Sequence, residues 1–294
     1  MVTIKKKPVG EQTYYYLEHT FRKKGKVEKK ELYLGKSIPK NVEKMKKDFL
    51  AGIYKEKWHK TLDKIRDGFL KDRQRMPKSA KIKETEAFMI KFTYDTQRIE
   101  GSKLTFRDTA NLLEKGITPK GKPITDIKEA EAHKEIFYEM LEHKKDITLQ
   151  EVLGWHRNLF KSTRPDIGGK LRQHQAAIYG SNFLPPFPAE VYPLTTEFFK
   201  WYNKNKDNIH TVELAALVHL KFVTIHPFSD GNGRISRLMM NFVLKKYNYP
   251  MLDIPYIGRN SYYNALERAQ VKKEDNIFLN WFIKRYIKEN KRYL

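Results

Sequence analysis

Twelve consecutive residues, His226-Pro227-Phe228-Ser229-Asp230-Gly231-Asn232-Gly233-Arg234-Ile235-Ser236-Arg237, bring together the residue types that phosphoryl-group chemistry needs. His226 can be neutral near pH 7, so it can accept a proton from a nucleophilic hydroxyl. Asp230 offers a hard oxygen that suits Mg²⁺ beside phosphates. Gly231 and Gly233, with Asn232 between them, let a phosphate approach the backbone with no Cβ in the way. Arg234 and Arg237, three apart, share one side of a helix and could clamp phosphate oxygens with paired hydrogen bonds. Taken singly these features are commonplace: a turn, a structural histidine, a solvated pair of arginines. The whole pattern is expected by chance at below about 10⁻⁹ per starting position, at average residue frequencies.

The flanking sequence indicates how such a loop is held. Val212 to Ile225 is apolar on nearly every side, as in a buried helix. Ile235, Leu238, Met239, Phe242 and Val243 give one apolar face of a second helix, which Asn248-Tyr249-Pro250 ends. The motif therefore joins two core helices, with its glycines at the N-terminus of the second. Unpaired N–H groups and the positive end of the dipole make that position a natural anion site.

Further upstream, the first forty residues read as β structure: an opening strand over Val2 to Lys6, then Thr13–Leu17 and Lys30–Leu34, with a turn at Lys23-Lys24-Gly25-Lys26. Ser37-Ile38-Pro39 breaks the pattern. A helical stripe follows, through Val42, Met45, Phe49, Ile53, Trp58, Leu62, Ile65 and Phe69, with Gly52 as a weak point and Met76-Pro77 as its end. A second helix spans about Glu84 to Glu100, with Gly101 beyond its end. Thr105 and Asp108 form a cap for a short helix ending at Gly116, Thr125 caps another to about Glu142, and Thr148 with Glu151 caps one reaching Phe160. Gly168 to Pro188 reads as an extended hairpin or flap, after which helices resume near Thr195. The expected architecture is mainly α, a helical bundle with a short β-hairpin flap, preceded by a small β-rich N-terminal module. Its divisions are residues 1–39, a helical region over 40–120, and a core with C-terminal helices over 121–294.

Composition narrows the chemistry further. With no cysteine among 294 residues, disulfides, thiolate metal sites and a cysteine nucleophile are excluded. The N-terminus lacks the apolar run of a signal peptide and no apolar run suits a bilayer, so the expected location is cytoplasmic, with no membrane partner. A formal net charge of +23 attracts polyanions; it reads either as a lysine-rich solvated surface or as a nucleic-acid-binding one.

The motif resembles the signature of the Fic family, matching at His226, Phe228, Asp230, Gly231, Asn232, Gly233, Arg234 and Arg237. That resemblance implies a Fic-type helical core and a protein adenylyltransferase, which moves AMP from ATP to a Ser, Thr or Tyr hydroxyl of a target protein. It implies His226 as the base and Asp230 as the holder of Mg²⁺. It also implies Gly231 to Gly233 and Arg234 on the α- and β-phosphates, and Arg237 on the γ-phosphate. Gly169-Lys170-Leu171-Arg172 and the segment Gln175-Ala176-Ala177-Ile178 are similar to the family's target-docking flap. Ser261 to Leu266 resembles the helix that packs on adenine, which would put Tyr262 and Tyr263 in the nucleotide pocket. Gln270 stands near the position where some relatives have an Asn touching the base.

Thr96-Gln97-Arg98-Ile99-Glu100-Gly101 resembles the inhibitory-helix pattern of one Fic subclass, Ser/Thr-x-x-x-Glu-Gly/Asn. The resemblance implies Thr96, Glu100 and Gly101 as an inhibitory element, with Glu100 competing against ATP for Arg237. Two other readings stand beside it. One is a Fic relative that removes AMP or uses another nucleotide donor. The other is a basic nucleic-acid-binding regulator with a vestigial Fic fold. Self-modification is expected of the enzyme, and the target protein and a homo-oligomer stay open.

Overall fold

The structure, a computed structural model, describes residues 2–23 and 26–294. It divides into two compact units, residues 1–63 and 64–294. In the first, β1 (Val2–Val9), β2 (Gln12–Lys23) and β3 (Lys26–Gly35) form an antiparallel sheet in the order β1-β2-β3. Lys23 pairs with Lys26, while Lys24 and Gly25 of the expected turn lie outside the described residues. Period-2 alternation buries Leu17 and His19 on one face. On the other face the register sets Lys5, Tyr16 and Tyr33 side by side, and the two tyrosine rings lie 5.2 Å apart.

Helix α1 (Val42–Arg75) starts in the first unit and ends in the second, uninterrupted at Gly52. Met76-Pro77 stops it, as the sequence leads one to expect, and Pro77 caps α2 (Lys78–Ile99). The second unit continues with α3 (Phe106–Lys115), α4 (Ile124–Glu142), α5 (Leu149–Phe160), α6 (Pro188–Asn205), α7 (Thr211–Ile225), α8 (Asn232–Lys246), α9 (Arg259–Lys272) and α10 (Asp275–Glu289). Helices α7 and α8 pack against each other at its centre, buried along nearly their whole lengths. Helices α2, α4 and α5 contact α8, and α6 and α10 contact α7. Among the described residues no helix is long and apolar enough to cross a membrane.

Local signals explain most boundaries. Thr105 and Asp108 form a reciprocal capping box, and Gly116 ends α3 in the left-handed conformation at φ 68°. The Thr148 side chain accepts from the Glu151 backbone N–H at the start of α5. Some expectations need correction: α2 begins at Lys78, directly after Pro77, rather than near Glu84. Thr125 does not cap α4; Pro123 does, and Thr125 already lies in the first turn. Helix α6 starts at Pro188 rather than near Thr195, because the Glu190 carboxylate accepts from the Phe187 N–H at 2.8 Å and Pro188 is preset for a first helical position. The segment before it carries no β ladder, so it is a loop rather than a β-hairpin. Pro185, Pro186 and Pro188 have no N–H to give a ladder.

Candidate active site

Helix α7 ends at Ile225, and His226 follows as its cap with φ 52°. A non-glycine residue in the left-handed region is held there against a local preference by its surroundings. One of those surroundings is Arg172, whose Nε donates to the His226 carbonyl at 2.7 Å. Its two other nitrogens donate to the carbonyls of His174 at 3.0 Å and Pro186 at 2.7 Å, and its backbone N–H reaches the Pro227 carbonyl at 2.9 Å. One buried guanidinium thus ties the His226 turn to both arms of the loop between α5 and α6.

The rest of the motif loop is clamped from within. The Asn232 amide accepts from the Phe228 N–H at 2.9 Å and donates to the Phe228 carbonyl at 2.8 Å. Its side chain therefore shapes the loop instead of facing a ligand. His156 accepts from the Gly169 N–H at 2.9 Å through Nδ1, so the proton sits on Nε2 and is donated to the Asp230 carbonyl at 3.0 Å. Its ring stacks on Phe228 at 3.7 Å, and burial pushes its pKa down to about 4. Gly231 caps α8 at φ 79°, where an added Cβ would lie 2.8 Å from the Phe160 ring. Only glycine satisfies both that dihedral and that approach.

Neither motif arginine lies on a solvated face; Arg234 is 2% and Arg237 1% exposed. Arg234 pairs with Glu129 of α4 and donates to Gln97 Oε1 at 3.1 Å and Asp230 at 3.2 Å. Arg237 donates to the Thr96 hydroxyl at 2.7 Å and carbonyl at 3.3 Å, to Glu100 Oε1 at 2.5 Å, and to the Tyr262 hydroxyl at 3.3 Å. The Glu100 carboxylate lies over Gly233, in the space a Cβ on that glycine would need. Glu100 closes α2 as its cap, and Gly101 follows at φ 100°. Thr96 and Glu100 thus both contact Arg237 of the motif, and Gly101 lies just beyond Glu100 at the end of α2.

Electrostatics follow from this packing. Burial lowers the His226 pKa and Arg172 lowers it further, so the neutral imidazole is favoured. Burial would raise Asp230, but Arg234 and Arg164, the latter 2.7 Å away, outweigh it and keep the carboxylate ionised. Burial likewise opposes the charge on Arg237, and Tyr262 and Glu100 more than restore it. A cavity of about 260 Å³ opens beside these groups, lined by Glu100, Glu129, Arg164, Asp230 and Arg234 among others. Asp230 is the half-exposed hard oxygen at this mouth. Among the described residues no group of three or more His, Asp or Glu could hold a metal by itself. One carboxylate that shares Mg²⁺ with substrate phosphates and water is the usual arrangement, so the donor set fits that ion in the company of a nucleotide.

The two tyrosines are placed differently from each other. Tyr263 is 41% exposed and donates its hydroxyl to the Ile99 carbonyl at 2.9 Å, beside Glu100. Tyr262 does not line an open nucleotide pocket: it is 1% exposed and packed behind Arg237, against Phe278 and Trp281. Gln270 is also turned inward, donating to the Thr224 hydroxyl at 3.2 Å. In the flap segment Gln175 folds back onto the Ala176 and Pro185 carbonyls, and Ala177 is exposed while Ala176 and Ile178 are half-buried. Asn182, further along, is held by Glu267 of α9 at 2.8 Å. Sequence reading did not single out Glu129, His156, Arg164 or His219, and gave Arg172 no role of its own.

A polar loop between two buried helices, with the Glu100 carboxylate seated at the second helix's N-terminus, is an arrangement suited to anions. Residues 146–244 match the Fic/DOC family. The chain is 37% identical over 180 residues to protein adenylyltransferase Fic of Drosophila yakuba, covering 60% of this chain and 36% of that protein. The relative of the same name in Drosophila grimshawi is also 37% identical over 180 residues. The chain thus spans little more than a third of the length of these relatives. A Fic-domain-containing signaling protein of Bacteroides thetaiotaomicron superposes with a TM-score of 0.72 at 26% identity, covering 79% of this chain and 95% of that one. Fic-1 of C. elegans superposes with a TM-score of 0.71 at 25% identity, covering 87% and 77%. The chain carries a Fic/DOC family domain.

Proposed function

We propose that the chain is a protein adenylyltransferase, a nucleotidyltransferase that moves AMP from ATP onto a hydroxyl of a target protein and is restrained by Glu100. The relatives named protein adenylyltransferase Fic support this reading. The observation that carries it is the Glu100 carboxylate over Gly233 at the start of α8, paired with Arg237. An anion already occupies the place where the helix dipole, the loop N–H groups and a buried guanidinium converge.

In the reaction, a Ser, Thr or Tyr oxygen attacks the α-phosphorus while its proton passes to the neutral His226 imidazole. The bond from the α-phosphorus to the bridging oxygen breaks, and pyrophosphate leaves. Gly231, Gly233 and Arg234 face the α- and β-phosphates and Arg237 the γ-phosphate. Asp230 would hold Mg²⁺, which supplies charge neutralisation to the phosphates. Positioning and fixed charge provide most of the acceleration, since little covalent work falls to the protein. The loop through Gln175, Ala176, Ala177 and Ile178 would receive the target, and Arg172 would keep that loop in register with His226. Glu100, with Thr96 and Gly101 shaping its helix end, withholds Arg237 until the carboxylate leaves.

The discriminating experiment supplies ATP labelled at either its α- or its γ-phosphate. Adenylyl transfer leaves a covalent band from the α-label alone, and the band disappears in His226→Ala. A γ-labelled band would indicate a kinase. Steeply salt-dependent nucleic-acid binding without any covalent band would favour the vestigial reading.

A further inference from the structure

Arg237 is gripped from two sides. Helix α2 supplies the Thr96 hydroxyl, the Thr96 carbonyl and Glu100. From α9 comes the Tyr262 hydroxyl, 3.3 Å from Nη1; among the described residues it is the one side chain besides Thr96 and Glu100 that hydrogen-bonds this guanidinium. Behind Tyr262 stands His219 of α7, seven residues before His226, with Nε2 2.8 Å from the same hydroxyl.

Proton inventory sets the direction of this chain. A guanidinium only donates, so the phenol oxygen must accept from Arg237. Its single proton then goes to His219 Nε2, which must carry a lone pair. His219 is 0% exposed, and burial pushes its pKa down to about 3, so the imidazole stays neutral and keeps a lone pair through the physiological range. The Phe278 ring lies 5.5 Å from His219 and 6.4 Å from Tyr262, and Trp281 lies 5.5 Å from Tyr262. In such an apolar box the hydrogen bonds from Arg237 to Tyr262 and between Tyr262 and His219 are strengthened by the low local dielectric.

We propose that Tyr262 and His219 are positioning residues: together they hold Arg237 in its phosphate-binding orientation after Glu100 has left, and so set the site's preference for a nucleoside triphosphate over a diphosphate. The proposal rests on the adenylyltransferase reading, in which Arg237 meets the γ-phosphate. Any displacement of α2 removes its grip along with the brake, whereas Tyr262 and His219 belong to helices of the core. His219 touches neither substrate nor Arg237 and acts through Tyr262.

The test titrates ATP and ADP, each with Mg²⁺, against the Glu100→Gly protein and against variants built in it. Tyr262→Phe removes one hydroxyl and keeps the ring. It is expected to weaken ATP by about tenfold, the scale of one hydrogen bond to a charged group, and to leave ADP nearly unchanged. His219→Leu should reproduce that loss of preference. His219→Gln, whose amide oxygen can accept from the phenol, should restore most of it. A variant that melts earlier but keeps the ATP-to-ADP ratio, or one that weakens both nucleotides equally, would overturn the proposal. So would a Glu100→Gly protein that binds ATP no better than ADP. Transfer is read separately: a protein that discriminates through Tyr262 yet attaches no AMP keeps the relay and loses the enzymatic reading.

Discussion

The Oε1 atom of Glu100 lies too close to Gly233 for a Cβ to fit there, and the same atom accepts from Arg237 at 2.5 Å. One carboxylate oxygen therefore meets both the bare start of α8 and the deepest guanidinium of the site. A phosphate oxygen entering this place has the same needs and the same charge sign. Competition for a single seat follows from that geometry.

Replacing Glu100 with Gly should raise adenylyl transfer by at least about tenfold, the value of one charge-assisted contact. Gly233→Ala should abolish transfer, because its Cβ enters the contested space. Adding Glu100→Gly to Gly233→Ala should not restore it, since the phosphate needs the room the methyl takes. Restored transfer in the double variant, measured by label incorporation, would separate the carboxylate's seat from the phosphate's.

Arg172 makes a different prediction because its guanidinium serves three backbone carbonyls. Lysine cannot reproduce that planar fork. In Arg172→Lys, turnover should fall by about tenfold or more while ATP affinity stays near that of the parent, because the nucleotide contacts lie elsewhere. Calorimetric ATP binding alongside single-turnover transfer checks the split. Parallel loss of both would mean that Arg172 supports the fold in general.

The pH profile carries a sign. Burial lowers the His226 pKa, so the imidazole keeps its lone pair at pH values where an exposed histidine would be charged. Asp230 is shifted the same way and stays ionised over that range. The rate should therefore remain level as pH falls through the ordinary histidine value of about 6.5, and decline only below it. A rate already halved at pH 7 in single-turnover measurements would contradict the neutral-base assignment.

How much of this was legible in the sequence depends on how far apart the contacting residues lie. His226 to Arg237 could be read because the whole cradle is made from one loop and the next helical turn. The Thr96 to Gly101 pattern could be read for the same reason, as one turn ending in a positive-φ glycine. Glu129 could not, since its partner Arg234 lies 105 residues away, and nothing in the α4 sequence marks that acid from its neighbours. Arg172 and His226 are 54 residues apart, and their bond runs to a backbone carbonyl, which leaves no trace in residue type. Tyr262 and Tyr263 are adjacent and chemically alike, so only the rotation of α9 decides which one is buried behind Arg237. The flap was misread as a hairpin because its residues suit strands, whereas side-chain anchors from Arg172, Gln175 and Asn182 hold it without a ladder.

The most direct measurement is the intact mass of the Glu100→Gly protein after incubation with ATP and Mg²⁺, beside Glu100→Gly carrying His226→Ala. The expected result is an added AMP on the first protein and unmodified mass for the second. Unmodified mass in both, or equal addition with and without His226, would contradict a restrained adenylyltransferase that works through this histidine.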